Sequence, residues 1–150
     1  MAAETTGLVW DQQYAEAINV WIDSRGGGRC SPGTFTALAW VNQGEISGAI
    51  AFYDSNGRNA NANIAVEGGR LSPGLLKAGL WYAFGQLRLA RLTFLIEDDN
   101  IPSISLVTRL GATHEATLRE AGKKGNMVIY SLFPADCPIW RKLAERGKIF

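Results

Sequence analysis

The stretch EDDNIPSISLVTRLGA, residues Glu97 to Ala112, decides how this chain is read. An apolar, β-type run, Leu92-Thr-Phe-Leu-Ile96, leads into it and breaks at Asp98-Asp99-Asn100. An amphipathic segment follows at once, with Ile104, Val107 and Leu110 on one face, and stops at Gly111. Asn100 is an N-cap residue, whose side chain can hold an open amide of a first helical turn. Gly111 supplies the left-handed stop. The stretch is therefore a strand delivered into a helix through a short polar break. Asn100 and Ser103 lie at i and i+3 on the first turn, so both side chains can point out of the junction. Asp98 and Asp99 read as solvated turn residues.

Working upstream, the pattern predicts a second strand-to-helix joint. Residues 60–66, Ala-Asn-Ala-Asn-Ile-Ala-Val, form a strand. After Glu67-Gly68-Gly69-Arg70 a helix runs from about Ser72 to Arg88, with Ser72 as cap, Pro73 in the first helical position and Leu76, Leu80, Ala83, Phe84 and Leu87 as its apolar stripe. Strand, helix and strand over 60–96 make a parallel crossover. Before it, Phe35–Val41 and Ile46–Tyr53 read as a hairpin about Asn42-Gln43-Gly44-Glu45, and Ser55-Asn56-Gly57-Arg58 turns the chain into the third strand. A first helix starts at Asp11, with Trp10, Tyr14, Ile18, Trp21 and Ile22 in helical spacing, and ends at Ser24-Arg25-Gly26-Gly27-Gly28. Three consecutive glycines give a mobile loop or one that approaches something closely. Downstream, His114–Glu120 and Met127–Phe133 read as strands around a Gly122–Gly125 turn, and a basic tail helix covers about 138–146. The order α, βββ, α, β, α, ββ is that of one α/β domain over 1–150, with a mixed, mostly antiparallel sheet and one parallel βαβ crossover.

Composition narrows the function classes. The 150 residues suffice for one core, and with 47% hydrophobic and 19% charged residues the chain reads as globular. It has no apolar run of the roughly 18 residues a membrane span needs. The N-terminus lacks the basic and apolar regions of a secretory signal, so a cytoplasmic setting is expected. A net charge of +1, without blocks of like charge, gives little pull toward nucleic acid or anionic membrane. Cys30 and Cys137 match no metal spacing, and no metal site is expected. The lone histidine, His114, argues against a Ser-His-Asp arrangement.

Both joints start a helix, where free backbone N–H groups and the helix dipole favour an anion. Arg70 adds a charge at the first, which lacks the spacing and Gly-Lys-Ser/Thr ending of a P-loop. Taken singly, each is also a plain strand–helix turn. Together they place two parallel strands side by side, each feeding a helix start at one sheet edge, where open α/β sheets bind ligands. A phosphate-bearing ligand would lie from one helix start to the other.

The element order and the run YAFGQLRLARLTFLIEDDNIPSISLVTRLGATHEATLRE resemble the GNAT superfamily of acyl-CoA N-acyltransferases, closest to the branch of ribosomal-protein and small phage-type acetyltransferases. The similarity rests on Tyr82-Ala-Phe84, the Leu87–Arg91 link, Asn100-x-x-Ser103, Leu110-Gly111-Ala112 and Glu115-Ala116-x-x-Arg119, and it covers roughly residues 35–135. The resemblance implies splayed central strands ending near Val66 and Glu97, with acetyl-CoA as cosubstrate between them. It implies that Ile64, Ala65, Val66 and Glu67 pair with the acyl-pantetheine. The pyrophosphate would rest on the loop from Gly69 to Leu75, with Arg70, Ser72, Gly74 and Leu75 as contacts. Asn100 and Ser103 map to positions that contact the pantetheine or the leaving sulfur. Two departures stand out. Pro73 and Leu75 occupy glycine places of the family's phosphate loop, and Pro73 removes a donor. Val107 stands where many members carry a tyrosine acid, so Ser103, or a water on Asn100, would serve the leaving thiolate.

The implied reaction is direct attack of a neutral primary amine on the thioester, with a base to take its proton. Glu67 is the first candidate, at the end of the cleft strand, and a solvated turn carboxylate is its bland alternative. His114 has a suitable proton affinity, although a surface role serves it as well. Cys137 reads as a buried, inert thiol. Tryptophans 10, 21, 40 and 81 read as core, and Lys123-Lys124 as a solvated hairpin tip. Trp140, Arg141 and Lys142 in the tail would edge the acceptor groove or form a homodimer contact. The acceptor is an amine of a protein terminus, a lysine or a small molecule. The competing function is a GNAT-fold CoA-binding or regulatory protein that has lost turnover.

Overall fold

The computed structural model describes residues 6–31, 33–68 and 70–147. Its elements in chain order are β1 (Gly7–Val9), α1 (Ala15–Ser24), β2 (Phe35–Asn42), β3 (Glu45–Tyr53), β4 (Asn59–Val66), α2 (Pro73–Leu80), β5 (Arg91–Glu97), α3 (Ile101–Leu110), β6 (Thr113–Leu118), β7 (Met127–Leu132) and α4 (Pro138–Arg146). The strands form one sheet of seven in the order β1-β2-β3-β4-β5-β7-β6. Only β4 and β5 pair in parallel; the other neighbours are antiparallel. This is the mixed sheet with one crossover that the sequence predicts.

Two local departures have physical causes. β1 adds a strand that the pattern did not suggest, because three residues are too few to show a period. It pairs Gly7 with Val41 at the sheet edge and leaves Trp10, expected in the core, 61% exposed. The helix expected over 72–88 is α-helical only to Leu80 and continues as wider π turns over Trp81–Gln86, where the Leu87 N–H donates to the Tyr82 carbonyl. This wider turn sets the Tyr82 hydroxyl 3.2 Å from Thr36 Oγ1 and the Phe84 ring 5.8 Å from that of Trp140.

Across β2–β4 the sheet buries both faces, and strand alternation decides which residues meet which helix. Ile18 and Ile22 of α1 pack on Ala37, Ala39, Ala49, Ala51 and Ala65, small side chains that let the helix lie close. On the opposite face Ala60, Ala62 and Ile64 of β4 join Leu75, Leu80, Phe84, Val107 and Leu110 beneath α2 and α3. Among the described residues no helix is long and apolar enough to cross a membrane.

β4 and β5 form the site's frame. They pair over only three positions, Asn59 with Arg91, Ala60 with Leu92 and Asn61 with Thr93. A 2.6 Å bond from the Thr93 hydroxyl to Asn59 Oδ1 ties this paired end. Beyond it the strands diverge, and each runs on into a helix start, α2 after β4 and α3 after β5.

Candidate functional site

Backbone geometry shows what faces the gap. The Glu67 N–H donates to the Ser47 carbonyl at 2.8 Å, so Ser47 and Glu67 are a hydrogen-bonded pair of the antiparallel ladder between β3 and β4. Such pairs alternate with pairs whose amides point outward. Ala62, Ile64 and Val66 therefore turn their N–H and C=O groups away from β3 and toward β5. Ile64 and Val66 lie beyond the paired segment, so their amides border an open notch.

The glycine loop after α1 fills most of that notch. A Cβ on Gly27 would stand 2.6 Å from Ile22 Cγ2 and 2.9 Å from the Ile64 carbonyl oxygen, so only glycine fits against the splayed strand. Asn100 donates from Nδ2 to the Gly26 carbonyl at 3.4 Å while its Oδ1 accepts the Ser103 N–H at 3.3 Å. One side chain thus caps α3 and pins the loop. Between Gly26, Gly27, Ala62, Ile64, Phe94, Asn100, Ser103 and Val107 a void of about 10 Å³ remains, room for one water at most. Anything larger enters only if the loop moves.

Two further contacts hold the loop. Arg25 Nε lies 2.9 Å from Glu67 Oε2, and its guanidinium stacks 4.7 Å from the Trp21 ring. At the loop's exit, fully buried Asn19 donates from Nδ2 to the Cys30 carbonyl at 3.0 Å and accepts the Cys30 N–H at 2.9 Å. Replacing Asn19 by Ala strands both backbone groups of Cys30 in the core, and should lower stability by about 2–3 kcal/mol. Urea midpoints check this; a loss below about 1 kcal/mol would show that the loop is held by its other contacts.

Burial pushes the Cys30 thiol from its ordinary 9.0 up to about 11, against a smaller opposing effect from the Asn63 side chain. The folded thiol stays protonated where the unfolded one has ionised, so this contribution to stability is complete below about pH 9 and is lost as pH rises toward 11. In the native protein at pH 9, Cys30 and the buried Cys137 should resist iodoacetamide until denaturant is added. Prompt native labelling would contradict their burial.

On the α1 side of the notch a cavity of about 470 Å³ opens, lined by Asp23, Arg25, Gly26–Gly28, Leu95, Glu97, Asp99, Asn100, Lys123 and Lys124, among others. On the helix side a cleft of about 190 Å³ lies between Arg70, Leu71, Leu76, Leu106, Arg109 and Ile139. At the start of α2 the Ser72 hydroxyl accepts the Gly74 N–H at 3.2 Å, as a cap should. Gly74 is glycine for a steric reason, since a Cβ there would meet the Trp40 ring at 2.5 Å. Leu75 is fully buried in the core, so neither its side chain nor its backbone is open to a ligand.

The predicted residues therefore fall into groups. Ile64, Asn100 and Ser103 converge on the notch, which Val66 borders. Arg70, Ser72, Gly74 and Leu75 gather at the α2 start, and Gly69 lies outside the described residues. Glu67 follows directly after β4 on the α1 face, held by Arg25. His114 is exposed on the edge strand β6, with Nε2 3.0 Å from the Thr117 hydroxyl. Sequence reasoning passed over Arg109, Asp23 and Glu97 as site groups. Arg109 sits in the last turn of α3, two turns below Ser103, and no short-range rule links it to Arg70. Glu97 was legible only as the end of a strand; its Oε1 accepts the Lys123 N–H at 2.7 Å.

No protein-family model matches the chain, and no curated protein matches it in sequence. Solved structures match its fold. The ribosomal-protein-S18-alanine N-acetyltransferase of Escherichia coli superposes with a TM-score of 0.61 at 16% identity, covering 86% of this chain and 94% of the other. The Salmonella typhimurium protein yncA, solved with its cofactor acetyl-CoA, gives 0.63 at 16% identity over the same shares. A Salmonella typhimurium acetyltransferase that modifies the N-terminal serine of a 50S ribosomal subunit protein gives 0.59 at 14% identity, covering 84% and 93%. The chain has the GNAT fold.

Proposed function

We propose that this chain is an N-acetyltransferase that moves an acetyl group from acetyl-CoA to a primary amine. The observation that carries the reading is the splay of β4 from β5, which leaves the amides of Ile64 and Val66 facing a gap between two helix starts, one that the Gly26–Gly28 loop plugs and must vacate for the cosubstrate. A pantetheine arm carries amides of its own and can pair with such an edge as an added strand would. Ala65 and Glu67 flank those positions. The cleft with Arg70 and Arg109 suits the anionic end of the cosubstrate. Pro73 has no N–H, and that of Gly74 is held by Ser72, so the exposed Arg70 carries the charge at the α2 start.

The amine comes from the α1 side, through the 470 Å³ cavity. Its nitrogen attacks the thioester carbonyl carbon, the C–S bond breaks, and the thiolate takes a proton with Ser103 or an Asn100-held water nearby. Glu97 lines this cavity and is our proposed proton acceptor; Glu67, across the Arg25 pair, is the second carboxylate in reach of the loop. The two free, buried cysteines suit a reducing compartment, and we place the protein in the cytoplasm.

Titration calorimetry with acetyl-CoA, followed by thiol release on mixed amines and peptides, tests the reading. Binding with release on an amine supports it, and no binding at millimolar concentration ends it. The notch closed to about 10 Å³ and the buried Val107 on its wall favour one competing reading, a CoA-binding protein without turnover. Binding without release on any acceptor would establish that alternative.

A further inference from the structure

We infer that Lys123 is an intramolecular acceptor, acetylated by the protein's own site; this rests on the acetyltransferase reading above. Lys123 sits on the β6–β7 hairpin tip, yet it lines the same cavity as Asn100, Leu95 and the glycine loop, the residues that separate this cavity from the notch. Two carboxylates of that cavity converge on it. Glu97 Oε1 takes its backbone N–H at 2.7 Å, and Asp23 Oδ1 stands 3.5 Å from its Nζ.

The tip is built to hold this position. The Gly122 N–H donates to the Gly125 carbonyl at 2.9 Å, the Asp98 N–H to the Asn126 carbonyl at 3.0 Å, and the Glu120 N–H to Asn126 Oδ1 at 2.8 Å. A Cβ on Gly122 would stand 2.6 Å from Glu97 Oε1, so the glycine lets the Glu97 carboxylate lie against the tip. The backbone of Lys123 is therefore fixed while its side chain is 78% exposed and can swing. Asp23 Oδ1 is buried and makes no hydrogen bond among the described residues, so the lysine is attracted to it without being docked. A primary ammonium thus already stands in the cavity through which an acceptor amine must come, beside a carboxylate able to receive its proton.

The step balances. The Nζ ammonium gives one proton to Asp23 and becomes a neutral amine. Its lone pair forms the N–C bond to the acetyl carbonyl, the C–S bond of the acyl-CoA thioester breaks, and the departing thiolate takes the second nitrogen proton. The products are an amide at Lys123, the free CoA thiol and one proton released from Asp23. Losing the charge on Lys123 dissolves its pairing with Asp23 and leaves the cavity more acidic, so the modified protein would favour cationic acceptors.

The test incubates the full chain with isotopically labelled acetyl-CoA, without any acceptor, and maps the label by peptide mass spectrometry. The expected result is label on Lys123 well above Lys124, Lys77 and Lys142, with a rate per molecule independent of protein concentration. Lys123→Arg should lose it, and Asp23→Asn should slow it about a hundredfold, at the low end for removing a proton acceptor. Equal labelling of all lysines, or an unchanged rate after heat denaturation, would overturn the inference as spontaneous chemistry. A rate that climbs with protein concentration would overturn the intramolecular step. If the protein binds acetyl-CoA and acetylates added amines but leaves Lys123 unlabelled, this inference fails and the proposed function stands. If it does not bind acetyl-CoA, both fail.

Discussion

Glu97→Gln is expected to lower kcat about 100-fold, worth about 2.7 kcal/mol of barrier, with acetyl-CoA binding by calorimetry unchanged. Glutamine keeps the shape of the side chain and can still accept the Lys123 N–H through its carbonyl oxygen, so the hairpin tip stays in place. What it cannot do is take the proton from an incoming ammonium and so free the amine that attacks. Glu67→Gln is the matched control. Its carboxylate is engaged by Arg25 at 2.9 Å, and its amide version should cost less than about tenfold, mainly through a looser glycine loop. Steady-state kinetics on both variants decide the assignment. If Glu67→Gln gives the hundredfold loss and Glu97→Gln does not, the proton acceptor is Glu67 and Glu97 is a brace for the tip.

Gly111→Ala should destabilise the protein by about 3–5 kcal/mol, a large part of the 5–15 kcal/mol a domain of this size holds. The backbone at Gly111 has φ +107°, a conformation L side chains rarely adopt. A Cβ would also collide with the Asp136 carbonyl oxygen and lie 3.0 Å from its carbon. Both are backbone atoms, so no side-chain rotation relieves the contact. Either α3 or the turn at Pro134–Asp136 must shift, and both belong to the packing around Leu110 and Cys137. Thermal melting should show a fall of about 10 °C or more. A shift within about 3 °C would mean that the 134–136 turn gives way freely.

Gly111 also shows how far the sequence could be read. That it stops a helix follows from its place after Leu110, and the structure has it there as the left-handed residue. That it must be glycine because the 134–136 turn crosses over it could not be read, since nothing local links residues so far apart. The caps behave alike: Ser72 on Gly74 and Asn100 on Ser103 follow from spacing. The grip of Asn100 on Gly26 does not. Gly26-Gly27-Gly28 was legible as a loop of close approach, but Ile64 as the thing approached was not.

The sequence by itself determined the element order, the single parallel crossover, both capped helix starts and the residues gathered around them. These depend on hydrogen bonds and apolar periods spanning a few positions, which residue types at fixed spacing report. Only the tertiary structure decided that the glycine loop plugs the splay, that Arg25 holds Glu67, that Arg109 faces the same cleft as Arg70, and that Lys123 and Glu97 share a cavity with Asn100. Those contacts join residues far apart in the chain, and their partners are set by where the twisted, diverging strands carry each helix and loop.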